Sequence, residues 1–263
     1  MPKDIFKGTA WYYARYRPGY PKEFFRHVVK NFKLNGEGRL LDLGCGPGQL
    51  AIPFTKYFKE VTAMDPDSDM LKEGRLAAKK AKAKNINWIK GSSADLNTDM
   101  GKFRLVVMGR SFHWMDQKKT LAMLYKMIEP GGGVIIVAEG GGYGAWTQRS
   151  NDWREALNKV VQKYLGSRRR AGSGYYKVPE KRFEDFIRES PFKTYTLYRQ
   201  KIKNTWELKG IIGYSYSRSL SAKPLFGRSV RAFEKELRAA LRKANPSGRF
   251  TDSANLEALI IAR

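Results

Sequence analysis

Along the first half of the chain, short apolar runs alternate with stretches whose apolar positions recur every three or four residues. Arg39–Leu43 is an apolar run ending in glycines, and residues 50–58 follow with helical spacing. Glu60–Asp65 reads as a second strand, 70–83 as a helix that Asp67 or Ser68 can cap, and Ile86–Lys90 as a third strand. Residues 104–108 make a fourth, 118–128 a helix, and 133–138 a fifth strand after the Pro130-Gly131-Gly132 turn. Apolar strands alternating with amphipathic helices predict an α/β fold, a doubly wound and mostly parallel sheet covered by helices on both faces.

After Glu139 the rhythm changes. A Gly-rich loop leads to a helix over about 150–164, a polar loop through Gly174 and a helix near 180–189. Residues 194–203 are strand-like, 206–217 and 228–244 are helical, and 256–262 form a last apolar strand. These elements complete a seven-stranded sheet and insert helices over its ligand edge. The expectation is a single domain over 1–263, with 1–139 as the cofactor-binding core and 140–263 as the remaining strands with a helical lid or acceptor subdomain.

At 263 residues the chain can bury a full core without disulfides or a structural metal. Its one cysteine, Cys45, cannot form an internal disulfide, and no secretory leader opens the sequence, so a cytoplasmic location is expected. No apolar run approaches the roughly 20 residues of a membrane helix, so membrane insertion is not expected. The charge changes the picture more. Lys and Arg number 50 against 25 Asp and Glu, a net +25. The excess is spread, with 24 basic and 14 acidic residues in 1–139 and 26 and 11 in 140–263. Its densest points are Lys79-Lys80-Ala81-Lys82-Ala83-Lys84 and Arg168-Arg169-Arg170, each either a solvated surface or a polyanion contact. The oligomeric state is not encoded in any recognisable pattern.

The chemistry-bearing turn is Leu41-Asp42-Leu43-Gly44-Cys45-Gly46-Pro47-Gly48-Gln49. In an open α/β sheet, ligands bind where the first strand turns into its helix, and glycines there permit close backbone approach or positive φ. The turn lacks the Gly-Lys-Ser/Thr ending of a phosphate-cradling loop, and its third glycine comes one residue early for a dinucleotide fold. Asp42 precedes the first glycine, and Asp65 ends the next strand, where a carboxylate can accept both hydroxyls of a ribose.

In this setting the sequence resembles the class I S-adenosylmethionine-dependent methyltransferase superfamily, whose glycine motif D/E-x-G-x-G-x-G is matched from Asp42 through Gly48. The resemblance covers 10–140 and implies a Rossmann-like fold with S-adenosyl-L-methionine as cofactor; no metal is expected. It implies that Asp65, flanked by Pro66 and Asp67, binds the ribose. It further implies that Asp95, in Gly91-Ser92-Ser93-Ala94-Asp95-Leu96, contacts the adenine amino group, and that the loop Gly109-Arg110-Ser111-Phe112-His113-Trp114 faces the methyl donor. Pro130-Gly131-Gly132-Gly133 matches the usual turn before the fifth strand. The expected cofactor contacts are therefore Asp42, Gly44, Cys45, Gly46, Gly48, Gln49, Asp65, Pro66, Met70, Ala94, Asp95 and Arg110, with Cys45 contributing through its backbone. Each acid also has a bland reading: Asp42 as a cap of the glycine turn, Asp65 as a cap of the following helix, Asp95 as a turn residue.

Phe112-His113-Trp114 is similar to the subfamily of trans-aconitate methyltransferase and its small-molecule relatives. So is Trp11-Tyr12-Tyr13-Ala14-Arg15-Tyr16-Arg17-Pro18-Gly19-Tyr20-Pro21, which in that subfamily folds over the cofactor and makes Tyr16 or Arg17 candidates for the methionine carboxylate. Its alternative is aromatic packing. His113 is placed to act as base or as acceptor-orienting group, or else as a hydrogen-bonded pocket wall. Tyr12, Trp114 and Trp146 are candidate pocket residues, and Arg110, Arg149 and the 168–170 loop could clamp a carboxylate. The leading expectation is methyl transfer to an oxygen or nitrogen of a small molecule. The alternatives are an RNA methyltransferase gripping phosphates through its basic surface, and a non-catalytic cofactor-binding regulatory protein. Nucleic acid is the less favoured partner, because the loop after the fourth strand lacks the Asn/Asp-Pro-Pro-Tyr/Phe element of base-amino methyltransferases.

Overall fold

Five strands form where the apolar runs lie: β1 (Arg39–Leu43), β2 (Glu60–Asp65), β3 (Ile86–Lys90), β4 (Phe103–Gly109) and β5 (Ile128–Glu139). This computed structural model describes residues 4–139, 152–168, 170–171, 174–176 and 181–263. Their helices are α1 (Ala10–Tyr16), α2 (Lys22–Phe32), α3 (Ala51–Phe54), α4 (Ser68–Ala81), α5 (Gln117–Met127), α6 (Asp152–Leu165), α7 (Phe183–Glu189), α8 (Leu208–Tyr216) and α9 (Val230–Ala244). Beyond the first five strands come a short ladder, β6 (Arg170–Ala171) with β7 (Gly174–Tyr175), and two long strands, β8 (Thr196–Glu207) and β9 (Arg249–Ala262). The chain divides into two compact units, one of Gly19–Ala145, Val178–Ile202 and Asn255–Arg263, the other of Met1–Pro18, Trp146–Lys177 and Lys203–Ala254.

The larger unit is built on the seven-stranded sheet, ordered β3-β2-β1-β4-β5-β9-β8. The first five strands are parallel, with Arg39 opposite Glu60, Leu40 opposite Leu105 and Val61 opposite Ile86. β9 returns antiparallel to β5, pairing Ala262 with Gly133. The order reverses between β1 and β4, which opens a crevice beyond their carboxyl ends. Alternation along the strands feeds two cores. Leu40, Val61, Ala63, Leu105 and Val107 pack with Phe24, Phe25 and Val28 of α2. Leu41, Leu43, Met64, Val106 and Met108 pack with Leu121 and Leu124 of α5 and with Ile187 of α7. A parallel sheet buried on both faces follows, as the pattern predicts.

Three departures from the expected elements have local causes. Residues 50–58 do not make one helix: α3 ends at Phe54 and a 3-10 turn, Thr55–Tyr57, follows. The Asn85 amide donates to the carbonyls of Thr55, Phe58 and Lys59, satisfying that exit from a distance in sequence that helical periodicity does not register. The Pro130-Gly131-Gly132 turn lies inside β5 as an irregularity, where pairing passes from Phe103↔Ile128 to Leu105↔Gly133. The polar loop expected through Gly174 contains the β6/β7 ladder.

In the smaller unit Trp153 and Leu157 of α6, Trp206, Ile211 of α8, and Phe233, Leu237 and Leu241 of α9 share one core. The four-residue spacing in α9 places its three apolar residues on one helical face. Asp252 is buried there, accepting from Arg154 Nε at 3.1 Å and Nη2 at 2.7 Å and from Trp206 Nε1 at 3.1 Å. The N-terminal segment through Pro18 groups with this unit rather than with the remainder of 1–139.

Candidate active site

The turn after β1 is fixed by backbone bonds that only a glycine-rich sequence can make. Gly44, Gly46 and Gly48 have φ of 72°, 52° and 79°, in or near the left-handed region that side chains with a Cβ avoid. Gly44 and Cys45 donate to Met64 O at 2.8 and 3.0 Å, strapping the turn to the end of β2. The three glycines do different work. A Cβ on Gly44 would lie 2.5 Å from Ser111 Cβ and one on Gly48 2.7 Å from the Trp88 ring, so both are glycine for internal packing. Above Gly46 nothing lies within 4 Å, so its Cα faces open space at the crest of the turn.

Asp65 completes this crest. Its Oδ2 accepts from Gly46 N at 2.8 Å and its Oδ1 from Asp67 N at 2.9 Å. Each carboxylate oxygen has two acceptor sites, so one donor apiece leaves capacity for a pair of hydroxyls. Burial pushes its carboxyl up to about 6, against those two N–H groups, which favour the charged form. Asp42 takes its capping reading. It is only 1% exposed, and its Oδ2 accepts from Ala51 N at 2.8 Å, so it shapes the exit of the turn from beneath. Burial raises it to about 7, the Ala51 N–H opposing and the Asp65 charge reinforcing. Cys45 is buried and its thiol is pushed well above its ordinary range, first by that burial and then by the nearby carboxylates, so it is no nucleophile.

Asp95 is exposed after β3 and caps a 3-10 turn, accepting from Ser92 N at 2.8 Å and Ser92 Oγ at 2.9 Å through Oδ2. Those bonds hold its carboxyl below the usual range. Ala94 is exposed beside it, and Pro66 is exposed beside Asp65. Met70 is buried in the first turn of α4, its N–H reaching Asp67 Oδ1 at 3.2 Å. After β4, Arg110 adopts φ 57°, a left-handed residue that is not glycine, and donates to Gln49 Oε1 at 3.3 Å. The guanidinium lies 4.8 Å from the Tyr20 ring centroid. His113 and Trp114 are half-buried on the following 3-10 turn, their rings 4.7 Å apart.

The larger unit therefore brings together Gly44 to Gln49, Asp65, Asp95 and the Arg110 to Trp114 loop at one edge. Tyr12, Tyr16 and Arg17 belong to the smaller unit. There Tyr12 packs on Tyr216 at 5.1 Å, Tyr16 lies against Gly213, and Arg17 Nε donates to Ser217 Oγ at 2.9 Å. Trp146, Arg149 and Arg169 lie outside the described residues. Three contributors were given no individual role from the sequence. Tyr20 places its hydroxyl where a Cβ on Gly109 would be, Ser111 donates from Oγ to Leu43 O at 2.7 Å, and Trp88 fills the space left by Gly48 and Gly74. A small residue facing a large one across the fold is the only sign they leave, and it is not local in sequence.

Residues 40–132, which hold this edge, match the family described as a methyltransferase domain. The domain has relatives in an uncharacterized methyltransferase of Schizosaccharomyces pombe, 26% identical over 164 residues, 61% of this chain and 60% of that one. Another is the Saccharomyces cerevisiae protein named Probable S-adenosylmethionine-dependent methyltransferase CRG1, 28% identical over 172 residues, 62% of this chain and 55% of that one. The chain thus spans less than two thirds of the length of these relatives. The fold is also that of a Thiobacillus denitrificans S-adenosylmethionine-dependent methyltransferase solved with S-adenosyl-L-homocysteine. That likeness has a TM-score of 0.53 at 17% identity and covers 100% of this chain and 99% of that one. A Geobacter sulfurreducens counterpart, also solved with S-adenosyl-L-homocysteine, gives 0.54 at 17% with the same coverage.

Proposed function

We propose that this chain is a cytosolic S-adenosylmethionine-dependent methyltransferase that acts on an oxygen or nitrogen of a small molecule, in the manner of the trans-aconitate methyltransferase subfamily. The observation that carries the reading is the pairing of Gly46 and Asp65: an open glycine beside a buried carboxylate with one acceptor site left on each oxygen. A ribose fits that pair, its hydroxyls on Asp65 and its ring over Gly46. Asp95 receives the adenine amino group through the oxygen not taken by Ser92, and Gln49 and Arg110 bound the methionine end. Asp42, Gly44, Cys45 and Gly48 serve by holding the turn. When bound, the cofactor supplies an electrophilic methyl group on a sulfonium.

The protein's own work is alignment and proton removal. In-line displacement requires the acceptor's lone pair to face the methyl–sulfur bond, and fixing that geometry supplies several kcal/mol. His113, three residues beyond Arg110, takes a proton from the acceptor or orients it. Trp114 is assigned to acceptor recognition. We take both units as parts of one enzyme.

Calorimetric titration with S-adenosylmethionine tests the core of this reading, with Asp65→Ala expected to weaken binding at least tenfold; no binding by the unmodified chain overturns it. A screen of metabolite extract with radiolabelled methyl donor finds the acceptor. On that acceptor, His113→Ala with undiminished turnover removes the base assignment.

A further inference from the structure

The site uses the carboxyl edge of the sheet. The amino edge, where the parallel strands begin, carries a different feature. Arg104 Nη2 donates to Phe32 O at 2.8 Å, which fixes the end of α2 and Lys33 beside the start of β4. Gly36 N reaches Tyr57 O at 3.2 Å, drawing the exit of α2 against the turn that holds Lys56 and Lys59. The Asn85 amide ties the exit of α4, with Lys82 and Lys84, to that same turn. Lys102, just ahead of β4, donates to Lys126 O at the end of α5. All seven lysines are exposed.

Among the described residues, none of the seven has a carboxylate within ion-pair reach. Acids at this edge include Glu37, Glu60, Asp99 and Glu129, and Glu60 is already paired with Arg39 at 3.2 Å. The α4 to β3 stretch from Gly74 to Lys90 holds six basic residues and no acid. Helix dipoles favour cations in a last turn, which explains Lys126 and the adjoining Lys79 and Lys80. They do not explain Lys59, Lys84 or Lys102, which lie outside α-helices. Nor do they explain the caps: α2 and α4 end on Lys33 and Lys82 in left-handed backbone, φ 49° and 57°, where glycine is the usual residue. A local rule is broken twice to place a lysine at one edge.

From β3 to β5 the sheet crosses four strand spacings, about 19 Å. An array that wide exceeds any single small anion and suits a polymer of phosphates. Among the described residues the exposed large apolar side chains are Trp11, Leu76, Tyr175 and Leu197, and of these only Leu76 belongs to the elements around this array, so the array has charge without the apolar insertion a membrane-binding face uses. We infer that the amino edge of the sheet is a docking surface for the phosphate backbone of nucleic acid, gripped without regard to sequence and on the side of the unit opposite the Gly46–Asp65 crest. Nucleic acid is on this view an anchor and not the methyl acceptor. The inference stands apart from the methyl-transfer reading, since it uses none of the same residues.

The test is fluorescence anisotropy of a labelled 20-nucleotide oligouridylate and a 20-base-pair DNA duplex, titrated with the full chain between 50 and 200 mM salt. Binding is expected to weaken steeply with salt, as phosphate contacts release counterions. Lys82→Glu/Lys84→Glu is expected to weaken binding at least tenfold at 50 mM and to flatten the salt dependence. Lys118→Glu/Lys119→Glu makes the same charge change at the opposite edge, where α5 begins, and is expected to weaken it less than threefold. Circular dichroism melting verifies that both variants fold. Equal losses in the two variants would mean diffuse charge and overturn the inference. So would no nucleic-acid binding at 50 mM, or binding only to vesicles of anionic lipid.

Discussion

Gly44 and Gly46 differ by two positions in sequence and by everything that matters for a substitution. Alanine at either must enter left-handed backbone, which costs about 1–2 kcal/mol. At Gly44 the added Cβ also meets Ser111 Cβ at 2.5 Å, against backbone that is strapped to Met64. Gly44→Ala is therefore expected to lower stability in urea unfolding by more than Gly46→Ala, by a further ~1–3 kcal/mol for overpacking. On the proposed reading Gly46→Ala should fold and lose cofactor affinity, because its methyl group would fill the open space proposed for the ribose. Equal stability losses would show that the two glycines are not divided between packing and binding. Asp42 and Asp65 give a second test. Their folded pKa values, about 7 and about 6, lie above the unfolded value of 3.8. The folded state thus holds the extra protons, and the stability these groups contribute is full below about 3.8 and is lost as pH rises through about 6 to 7. Cofactor affinity should run the other way, since Asp65 must be ionised to accept two hydroxyls, and should fall as pH drops through about 6. Asp42→Asn, which keeps an oxygen for Ala51 N–H, is expected to flatten the stability profile between pH 4 and 8 while leaving the acid fall in cofactor affinity in place. Denaturant unfolding and calorimetry across that range read the two separately.

Elements with their own periodicity were legible from the sequence, and elements made by partners elsewhere were not. β1, β2 and β3 have the bounds that their apolar runs indicate, and α4 is capped by Asp67 as one of two candidates. β8 and β9 extend beyond the runs of 194–203 and 256–262, because strand pairing carries polar residues that no apolar pattern marks. The turn of α3 and the bulge in β5 depend on Asn85 and on the register with β4. In the candidate site, the places of Asp65 at the end of β2 and of Gly46 in the turn after β1 were legible because they are local to strand ends. Asp42 takes the capping role, one of its two readings, with its Oδ2 accepting from Ala51 N where α3 begins. In the smaller unit, Asp252 joins α6 to the strand before α8 through Arg154 and Trp206, with the Asp252 side chain 2% and Arg154 17% exposed. Removing the acid leaves a largely buried guanidinium. Asp252→Ala is expected to destabilise by about 3–5 kcal/mol, and Asp252→Asn by less, since its amide oxygen still accepts one bond. Thermal melting that separates neither variant from the unmodified chain would show that the network is dispensable.

A net charge of +25 acts on the molecule as a whole before any ligand is considered. Like charges repel more strongly in the compact state than in an extended chain, so part of the folding free energy is spent against them. Salt screens that repulsion over about 10 Å at 0.1 M, and the melting temperature of the free chain should rise as sodium chloride is raised from 0.05 to 0.5 M. Exposed lysines that had only to keep the protein soluble could sit anywhere. Their concentration at the amino edge, two of them in left-handed caps, raises the local repulsion without return unless something anionic binds there. The docking reading and the solvated-face reading consequently differ in a sign. Lys82→Glu/Lys84→Glu relieves repulsion and should raise the melting temperature of the free chain, at about 2–4 °C per kcal/mol for a protein of this size. With oligouridylate present, the unmodified chain gains stability by mass action, about 2.7 kcal/mol at a hundredfold excess over Kd, and the double variant gains less. The rank order of the two proteins should therefore invert when nucleic acid is added at low salt. If the order stays the same in both conditions, the amino edge is a solvated face and the lysines there serve no partner.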